Sequence, residues 1–362
     1  MNIETTVMGM QSKSQVLIDD LRSIIDGARR QVAVAVNSEM TMMYWHIGER
    51  INREVLGNQR AEYGKQIVAT VSRQLRQEYG NNGYDEKSIR RMMQFARLFG
   101  DEKIVVTLSR QLCWSHFVEV IPLQDELKRE FYLTLASNEK WGIRRLRKEI
   151  DGMLYERTAI ASKPEELIRK ELAELRDNNT LSPDLVFKSP YFLEFTSLKG
   201  NYSERSLEDS LVANLEQFIL ELGKGFTFVE RQKRMIIDGE DFYLDLLFYH
   251  RRLRRLIAID LKLGRFKAQY KGQMELYLRY LEANEMEPGE EPPLGLLLCT
   301  EGSEEQIELL QLDKAGIKVA NYMTELPPRE LLVRQIQKSL EVAKALGSTA
   351  SKTNSSSEYD EV

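Results

Sequence analysis

The stretch from Phe242 to Lys262 constrains the fold of this chain more than any other segment, because it holds two runs of alternating apolar residues around a short basic break. We predict an antiparallel hairpin centred on that break, in which Leu246 faces Ile259 and Leu244 faces Leu261. A slip of one residue would move each apolar set to the other face of the sheet, so the pattern specifies the register.

The other face of this hairpin carries charge, since the same register sets Asp245 opposite Asp260, with Lys262 two residues further along. Two opposed carboxylates about 5 Å apart repel each other, and a sheet keeps such a pair only when something neutralises it. Carboxylate oxygens suit Mg²⁺, which retains waters and also binds phosphate. Lys262 could hold a water aimed at a phosphorus atom, so the set points to metal-assisted phosphodiester hydrolysis.

Residues before this hairpin add to the same face. Asp238-Gly239 is a strong hairpin turn signal, and the hairpin it closes sets Gln232 opposite Asp245. A helix from Ser206 to Gly223 precedes both strands, and Glu208 falls within its apolar stripe. Because an inward glutamate is costly unless it is paired or binds metal, Glu208 is the candidate third acidic ligand, ranked above Glu216 on the flank of the helix.

These residues resemble a known family. Asp245, then Asp260-Leu261-Lys262, then Gln273 and Tyr277 on a following helix, resemble the PD-(D/E)XK nuclease superfamily and its RecB-like members. Longer stretches are more similar to the bacterial YhcG-like nucleases: Tyr44-Trp45-His46-Ile47-Gly48, Ala61-Glu62-Tyr63-Gly64-Lys65, Leu112-Cys113-Trp114-Ser115-His116, Leu222-Gly223-Lys224-Gly225-Phe226 and the run from Asp241 to His250. The resemblance covers nearly the whole chain except the C-terminal tail.

The resemblance implies an α/β, restriction-endonuclease-like C-terminal domain behind an all-α N-terminal domain. It implies that Asp245 and Asp260 bind Mg²⁺, for which Mn²⁺ would substitute, and that Lys262 is catalytic. It also implies that Gln273 and Tyr277 line the site beside the DNA backbone.

Two positions depart from the superfamily pattern, and plainer interpretations remain open. Leu244 stands where the pattern has proline, and Asp260 stands where glutamate is more common. The acids and the lysine could form a structural ion-pair cluster, and Tyr277 could be a core residue of its helix. Such a chain would be a DNA-binding or assembly protein with a nuclease-like fold and no catalysis.

The domain organisation follows from the change of pattern along the chain. Residues 1–160 predict helices alone, 161–190 a polar linker, 191–346 the nuclease domain and 347–362 a disordered tail. The helix after Gly83 follows a turn, so it could be the second helix of a helix-turn-helix that contacts DNA or a protein partner. Two basic sets are candidate nucleic-acid contacts, although each could be a merely solvated helix face: Lys87, Arg90, Arg91, Gln94 and Arg97, and Arg144, Arg145 and Lys148.

Composition narrows the class of protein further. A formal net charge of -5 neither indicates nor excludes a DNA partner, because local basic patches matter more than the sum. Two cysteines cannot form a disulfide framework, and the chain shows no signal peptide and no membrane span, so we expect the cytoplasm. Together with the residues of the hairpin, these features predict a Mg²⁺-dependent DNA endonuclease, with a possible homo-oligomer and RNA as a weaker substrate alternative. The family resemblance implies a role in defence, recombination or repair.

Overall fold

The computed structural model describes residues 3–56, 61–80, 83–301 and 304–355. The chain divides into two compact units, Met1–Lys148 and Glu149–Val362. Among these described residues, no helix is both long enough and apolar enough to cross a membrane.

The first unit is helical throughout its described residues. Asp85 begins the third helix by accepting a hydrogen bond from the Ser88 backbone N–H at 3.0 Å, as an N-cap aspartate does. The helices are α1 (Ile3–Leu56), α2 (Ala61–Tyr79), α3 (Glu86–Leu98), α4 (Glu102–Ser109), α5 (Trp114–Val120), α6 (Glu126–Glu139) and α7 (Ile143–Asp151).

Gly48 sets the distance between α1 and α3. A Cβ built at this position would lie 1.9 Å from the backbone oxygen of Met92, a separation that no side chain can occupy. The close approach lets Ile51 of α1 pack against Ile89 and Met93 of α3. The glycine therefore belongs to the packing of the two helices.

Helix α3 is the next helix after α2 along the chain. It is amphipathic: its apolar face is buried and its basic face points outward. The buried residues are Ile89, Met92, Met93, Phe95 and Ala96.

The second unit is an α/β domain built on a six-stranded mixed sheet. The strand order is β1-β6-β5-β4-β3-β2, with β2, β3 and β4 antiparallel and the remaining neighbours parallel. The strands are β1 (Tyr191–Phe192), β2 (Phe226–Ile237), β3 (Glu240–His250), β4 (Arg255–Arg265), β5 (Leu294–Glu301) and β6 (Ile317–Met323). The helices are α8 (Leu154–Arg157), α9 (Glu165–Asp177), α10 (Glu204–Ala213), α11 (Leu215–Leu222), α12 (Gln269–Asn284), α13 (Glu304–Leu309) and α14 (Arg329–Ser355).

Each face of the sheet packs against different helices. Leu246 and Phe248 of β3 belong to one apolar cluster, which also takes in residues of α10 and α11. Leu247, between them, belongs to a second cluster that takes in residues of α12. This alternation is the period of a β-strand, so the sheet lies between two helical layers.

The predicted hairpin at Asp238-Gly239 is confirmed. Both residues have positive φ, 51° and 81°, as a type I′ turn requires at its two central positions. The pairing that follows sets Arg234 opposite Tyr243 and Lys233 opposite Leu244.

The segment between the two predicted domains has structure of its own. Helix α9 lies within residues 161–190, and it buries Ile168, Leu172 and Leu175. At the other end, α14 continues to Ser355, into the region predicted as a tail. The rest of that predicted tail, residues 356–362, lies outside the described residues.

Candidate active site

The candidate site lies where strands β3 and β4 stop pairing. The predicted register is confirmed from His250 opposite Arg255 down to Leu246 opposite Ile259, and the backbone pairing ends there. Beyond it, a side chain replaces the backbone: Oδ2 of Asp245 accepts the Leu261 N–H at 2.7 Å.

This irregularity corrects the prediction that Leu244 faces Leu261 across one apolar face. Leu244 lies in the cluster of α12, whereas Leu261 lies in the cluster of α10 and α11. Gln232, the residue of β2 that faces Asp245, has a left-handed φ of 50°. Local irregularities of this kind re-aim side chains next to functional sites, and here the Asp245 side chain turns to the Leu261 N–H within β4.

The three residues predicted from the hairpin come together at this point. Asp260 is 3% exposed, its carboxyl hydrogen-bonds that of Asp245, and its Oδ2 lies 2.7 Å from Nζ of Lys262. Burial, together with the charge of Asp260, raises the pKa of Asp245 to about 7. Burial likewise raises the pKa of Asp260. Burial opposes protonation of Lys262, but its pair with Asp260 and the nearby Asp245 raise the pKa of that lysine overall.

The raised pKa values of Asp245 and Asp260 indicate that this pair of acids suits a bound cation. Two buried carboxyl groups cannot both ionise cheaply, so they retain a proton unless a cation replaces it. Asp245 and Asp260 offer the oxygen ligands that hard divalent cations prefer. Within the described ranges no group of three His, Cys, Asp or Glu side chains is arranged as a complete metal cage. Mg²⁺ is commonly bound through one or two carboxylates and keeps several waters, so a pair of acids suits it.

Glu208, the predicted third metal ligand, lies on helix α10 and reaches the acid pair through Gln232. Glu208 is 5% exposed, pairs with Arg231, and accepts a hydrogen bond from Nε2 of Gln232 at 2.7 Å. The same Nε2 lies 3.2 Å from Oδ1 of Asp245, so one amide joins the two carboxylates. Glu216 is exposed on α11.

The sequence reasoning missed Glu204 at this site. Its Oε1 accepts the Leu263 N–H at 3.0 Å, and its charge contributes to the raised pKa values of Asp260 and Lys262. The signal was present in the chain: Ser203 caps α10 by accepting the Ser206 N–H. The prediction that this helix begins at Ser206 places Glu204 outside it. In the structure Glu204 and Glu208 lie in the same helix, four residues apart, so they share a helix face.

Comparison with known proteins identifies the family. A family model described as the YhcG PDDEXK nuclease domain matches residues 184–341, and one described as the DUF1016 N-terminal domain matches residues 20–157. The chain is 31% identical over 365 residues to "Putative nuclease YhcG" of Escherichia coli (strain K12), spanning 92% of this chain and 96% of that protein. This chain belongs to the YhcG-like family of PD-(D/E)XK nucleases. The predicted resemblance and fold class are confirmed.

Two solved structures resemble part of this YhcG-like chain. One is the crystal structure of a repair endonuclease from Pyrococcus abyssi, with 20% identity over 36% of this chain and 50% of that one, and a TM-score of 0.25. The other is the structure of EndoMS in apo form, with 19% identity over 36% and 49%, and a TM-score of 0.24. The match spans about half the length of each.

Helix α12 places the two further residues that the YhcG-like resemblance points to. Nε2 of Gln273 donates to Oη of Tyr277 at 2.7 Å, and that hydroxyl donates to the backbone oxygen of Tyr243 at 3.2 Å. Tyr277 is buried in the apolar cluster of α12, so it combines the core position with a polar tie to β3. The charges of Asp260 and Asp245 contribute to a raised pKa of Tyr277, after burial.

The predicted nucleic-acid contacts lie in the helical unit. Several already have protein partners: Arg90 pairs with Glu86, Arg145 with Glu139, and Nε of Arg97 donates to Asn52. Arg91 and Arg145 are half-buried, and the others are exposed: Lys87, Arg90, Gln94, Arg97, Arg144 and Lys148.

Proposed function

We propose that this protein is a Mg²⁺-dependent nuclease that hydrolyses DNA phosphodiester bonds at the point where strands β3 and β4 stop pairing. The observation that carries the proposal is the buried contact between Asp245 and Asp260, with Lys262 at 2.7 Å from the second acid. Membership of a nuclease family supports the same chemistry.

Asp245 and Asp260 would hold the ion, and Mn²⁺ would substitute for it. The bound ion would supply positive charge to the phosphate and lower the pKa of a water molecule. The protein keeps Asp245 in position with two donors, the Leu261 N–H and the Gln232 amide. Outer-shell hydrogen bonds of this kind orient metal ligands, and Glu208 extends the set by holding Gln232.

Lys262 contributes in two ways. Its ammonium, held by Asp260, positions the attacking water and stabilises the negative charge that develops on the phosphate oxygens. Nζ also lies 5.4 Å from the centroid of the Tyr270 ring, a contact that favours the charged form. Gln273 donates one amide hydrogen to Tyr277 and retains a second for a phosphate oxygen.

The basic face of α3 would hold DNA by its phosphates. Lys87, Arg90 and Arg97 are exposed, and phosphate contacts from such residues position a duplex without reading its sequence. Cutting both strands of a duplex would use two copies of the acid pair. A homo-oligomer would supply them, and this assembly stays a prediction.

Cleavage assays on the purified full chain test the proposal. We expect duplex, single-stranded or branched DNA to be cut with Mg²⁺ or Mn²⁺ and left intact with a chelator, and Asp245→Asn to abolish cutting. Asp241→Asn is the matched control, because this carboxylate lies on the same strand and pairs with Arg234 outside the site. DNA binding without cutting by the wild-type chain would favour the non-catalytic alternative, and cutting of RNA alone would replace DNA as substrate.

A further inference from the structure

The Leu112–His116 segment lies in the helical unit, and the nuclease chemistry proposed above does not use it. Cys113 lies immediately before α5 and is half-buried, while His116 is 7% exposed in the first turn of that helix. Sγ of Cys113 lies 3.2 Å from Nδ1 of His116, within hydrogen-bonding reach.

The other side of the imidazole decides which nitrogen acts as the base. Nε2 of His116 lies 3.0 Å from the backbone oxygen of Trp141. Because a carbonyl oxygen only accepts, Nε2 carries the hydrogen, and Nδ1 of the neutral ring presents its lone pair to the thiol. The same single lone pair of Nδ1 also faces the Cys113 N–H at 3.2 Å, which requires the same tautomer, and this contact is given up when Nδ1 takes the thiol proton. A nucleophile beside a base that a third group orients is the arrangement that activates cysteine.

The surroundings favour the charged pair. The hydrogen bond to His116 lowers the pKa of Cys113 to about 7, and the backbone N–H groups of Ser115 and His116 add to that effect. Burial opposes charging of the imidazole, but the bonds to Cys113 and Trp141 raise the pKa of His116 overall.

Other charged and titratable groups lie around the neighbouring aromatic rings. Glu139 accepts the Trp141 indole N–H at 2.8 Å, and Arg145 pairs with Glu139 while lying over the Trp141 ring. The Tyr44 ring contacts Trp114, next to the cysteine. The hydrogen bonds to the thiol come from His116 and the α5 backbone.

We propose that Cys113 and His116 form a nucleophile–base pair that makes Cys113 a reactive thiol, a modification site for hydroperoxides. The proton passes from Sγ to Nδ1. The thiolate sulfur attacks one peroxide oxygen, the S–O bond forms and the O–O bond breaks. The leaving hydroxide, or the alkoxide of an organic hydroperoxide, takes the proton from His116 and departs as water or alcohol. Sulfur loses two electrons to give the sulfenic acid, and the peroxide is reduced.

Cys299 provides an internal comparison within the same chain. It is fully buried on β5, and burial raises its pKa to about 12. We therefore expect the two cysteines of the sequence to differ in reactivity, because the thiolate is the nucleophile and only Cys113 has a lowered pKa. Both thiols meet the same reagent in the same experiment, so a change in the reagent itself would alter the labelling rates of both.

Alkylation of the full chain with iodoacetamide, followed by peptide mapping across about pH 5 to pH 10, tests the pair. We expect the Cys113 rate to rise with an inflection near pH 7, and Cys299 to stay unlabelled in the folded protein. An inflection of wild-type Cys113 near the ordinary thiol value of about 8.5 would overturn the proposal. This measurement needs no variant, so it is independent of any folding defect.

The His116→Gln variant isolates the base. We expect its inflection to move toward about 8.5 and its rate at pH 6 to fall about fivefold, since the smaller thiolate fraction outweighs the higher nucleophilicity. At high pH the variant should react faster than the wild-type chain. His46→Gln, an exposed histidine paired with Glu102 in the same unit, is the control and should keep the wild-type profile.

Treatment with hydrogen peroxide and a sulfenic-acid trap gives the second readout. The trap should label Cys113 in the wild-type chain and in His46→Gln, and label it several-fold more slowly in His116→Gln at pH 6. Equal trapping in all three proteins would assign His116 to helix capping alone, and absence of trapping in the wild-type chain would reject the modification site.

Discussion

The acid site of the α/β unit and the basic face of α3 use charge in opposite ways. At the acid site a few charges are buried and touch one another: Asp260 is 3% exposed and is in contact with both Asp245 and Lys262. On α3 the charges stand in solvent and are spread along one helix, as Lys87 and Arg90 show. Buried charges interact strongly and exposed ones are screened by salt. Function should therefore be concentrated in single residues at the first region and distributed at the second.

The largest expected effect is the loss of Lys262. Lys262→Ala should lower single-turnover DNA cleavage by at least about a thousandfold, since it removes a preorganised charge from the reacting phosphate. Lys233→Ala is a matched control, because Lys233 lies on β2 of the same sheet and pairs with Glu285. Cleavage by Lys262→Ala within tenfold of wild type, with an unchanged circular dichroism spectrum, would remove the lysine from the mechanism.

The pH dependence of cation binding is the next effect in size. With the pKa of Asp245 raised to about 7, a proton competes with the cation below that pH, so the apparent Mn²⁺ affinity should fall about tenfold per pH unit from 7 downward. Calorimetric titration from pH 8 to pH 5 measures this decline. Asp245→Asn should bind weakly with little pH dependence, and a wild-type affinity that is flat over this range would contradict the buried acid pair.

The free energy of unfolding of the cation-free protein should change with pH in the opposite direction to the cation affinity. Folding raises the pKa of Asp245 above its unfolded value of about 4, so the folded state binds more protons in the window from about pH 4 to pH 7. This acid therefore makes the free energy of unfolding fall as pH rises through that window. Denaturant titrations of wild type and Asp245→Asn measure the difference in slope, and equal slopes would contradict it.

Substitutions of Glu204 and Glu208 should have intermediate effects on cation binding and cleavage. Glu204→Gln and Glu208→Gln should each lower cation affinity or cleavage by about tenfold, as loss of outer-shell partners commonly does. Glu216→Gln is the control, since Glu216 is exposed on α11. If Glu204→Gln matches this control in cleavage assays, the contact of Glu204 with Leu263 serves the structure alone.

The smallest single effects belong to α3. Arg90→Gln should weaken DNA binding a few-fold and reduce the salt dependence of log K by about one phosphate contact. Arg169→Gln on α9 is matched to it, because the two arginine side chains are similarly accessible, at 49% and 41%, and each pairs with a glutamate four residues earlier. Identical salt dependence of DNA binding for wild type and Arg90→Gln would mean that DNA does not contact Arg90 on α3.

Local patterns predicted the framework of the site well. The Asp238-Gly239 turn and the register of β3 against β4 follow from turn chemistry and the two-residue period. The turn is as predicted, and so is the register as far as Leu246 opposite Ile259. Glu204 was missed because Ser203 and Ser206 are both acceptable N-caps by residue type. Only the fold shows that Ser203 caps the helix.

The sequence by itself determined which strands pair, which face is apolar and that two acids and a lysine lie near one another, because these follow from periodicity over a short stretch of chain. Tertiary structure decided that Asp245 leaves the regular alternation to take the Leu261 N–H, and that Gln232 joins it to Glu208. Those contacts connect β2, β3, β4 and α10, and no local preference encodes a departure from regular pairing that several packed elements must stabilise together.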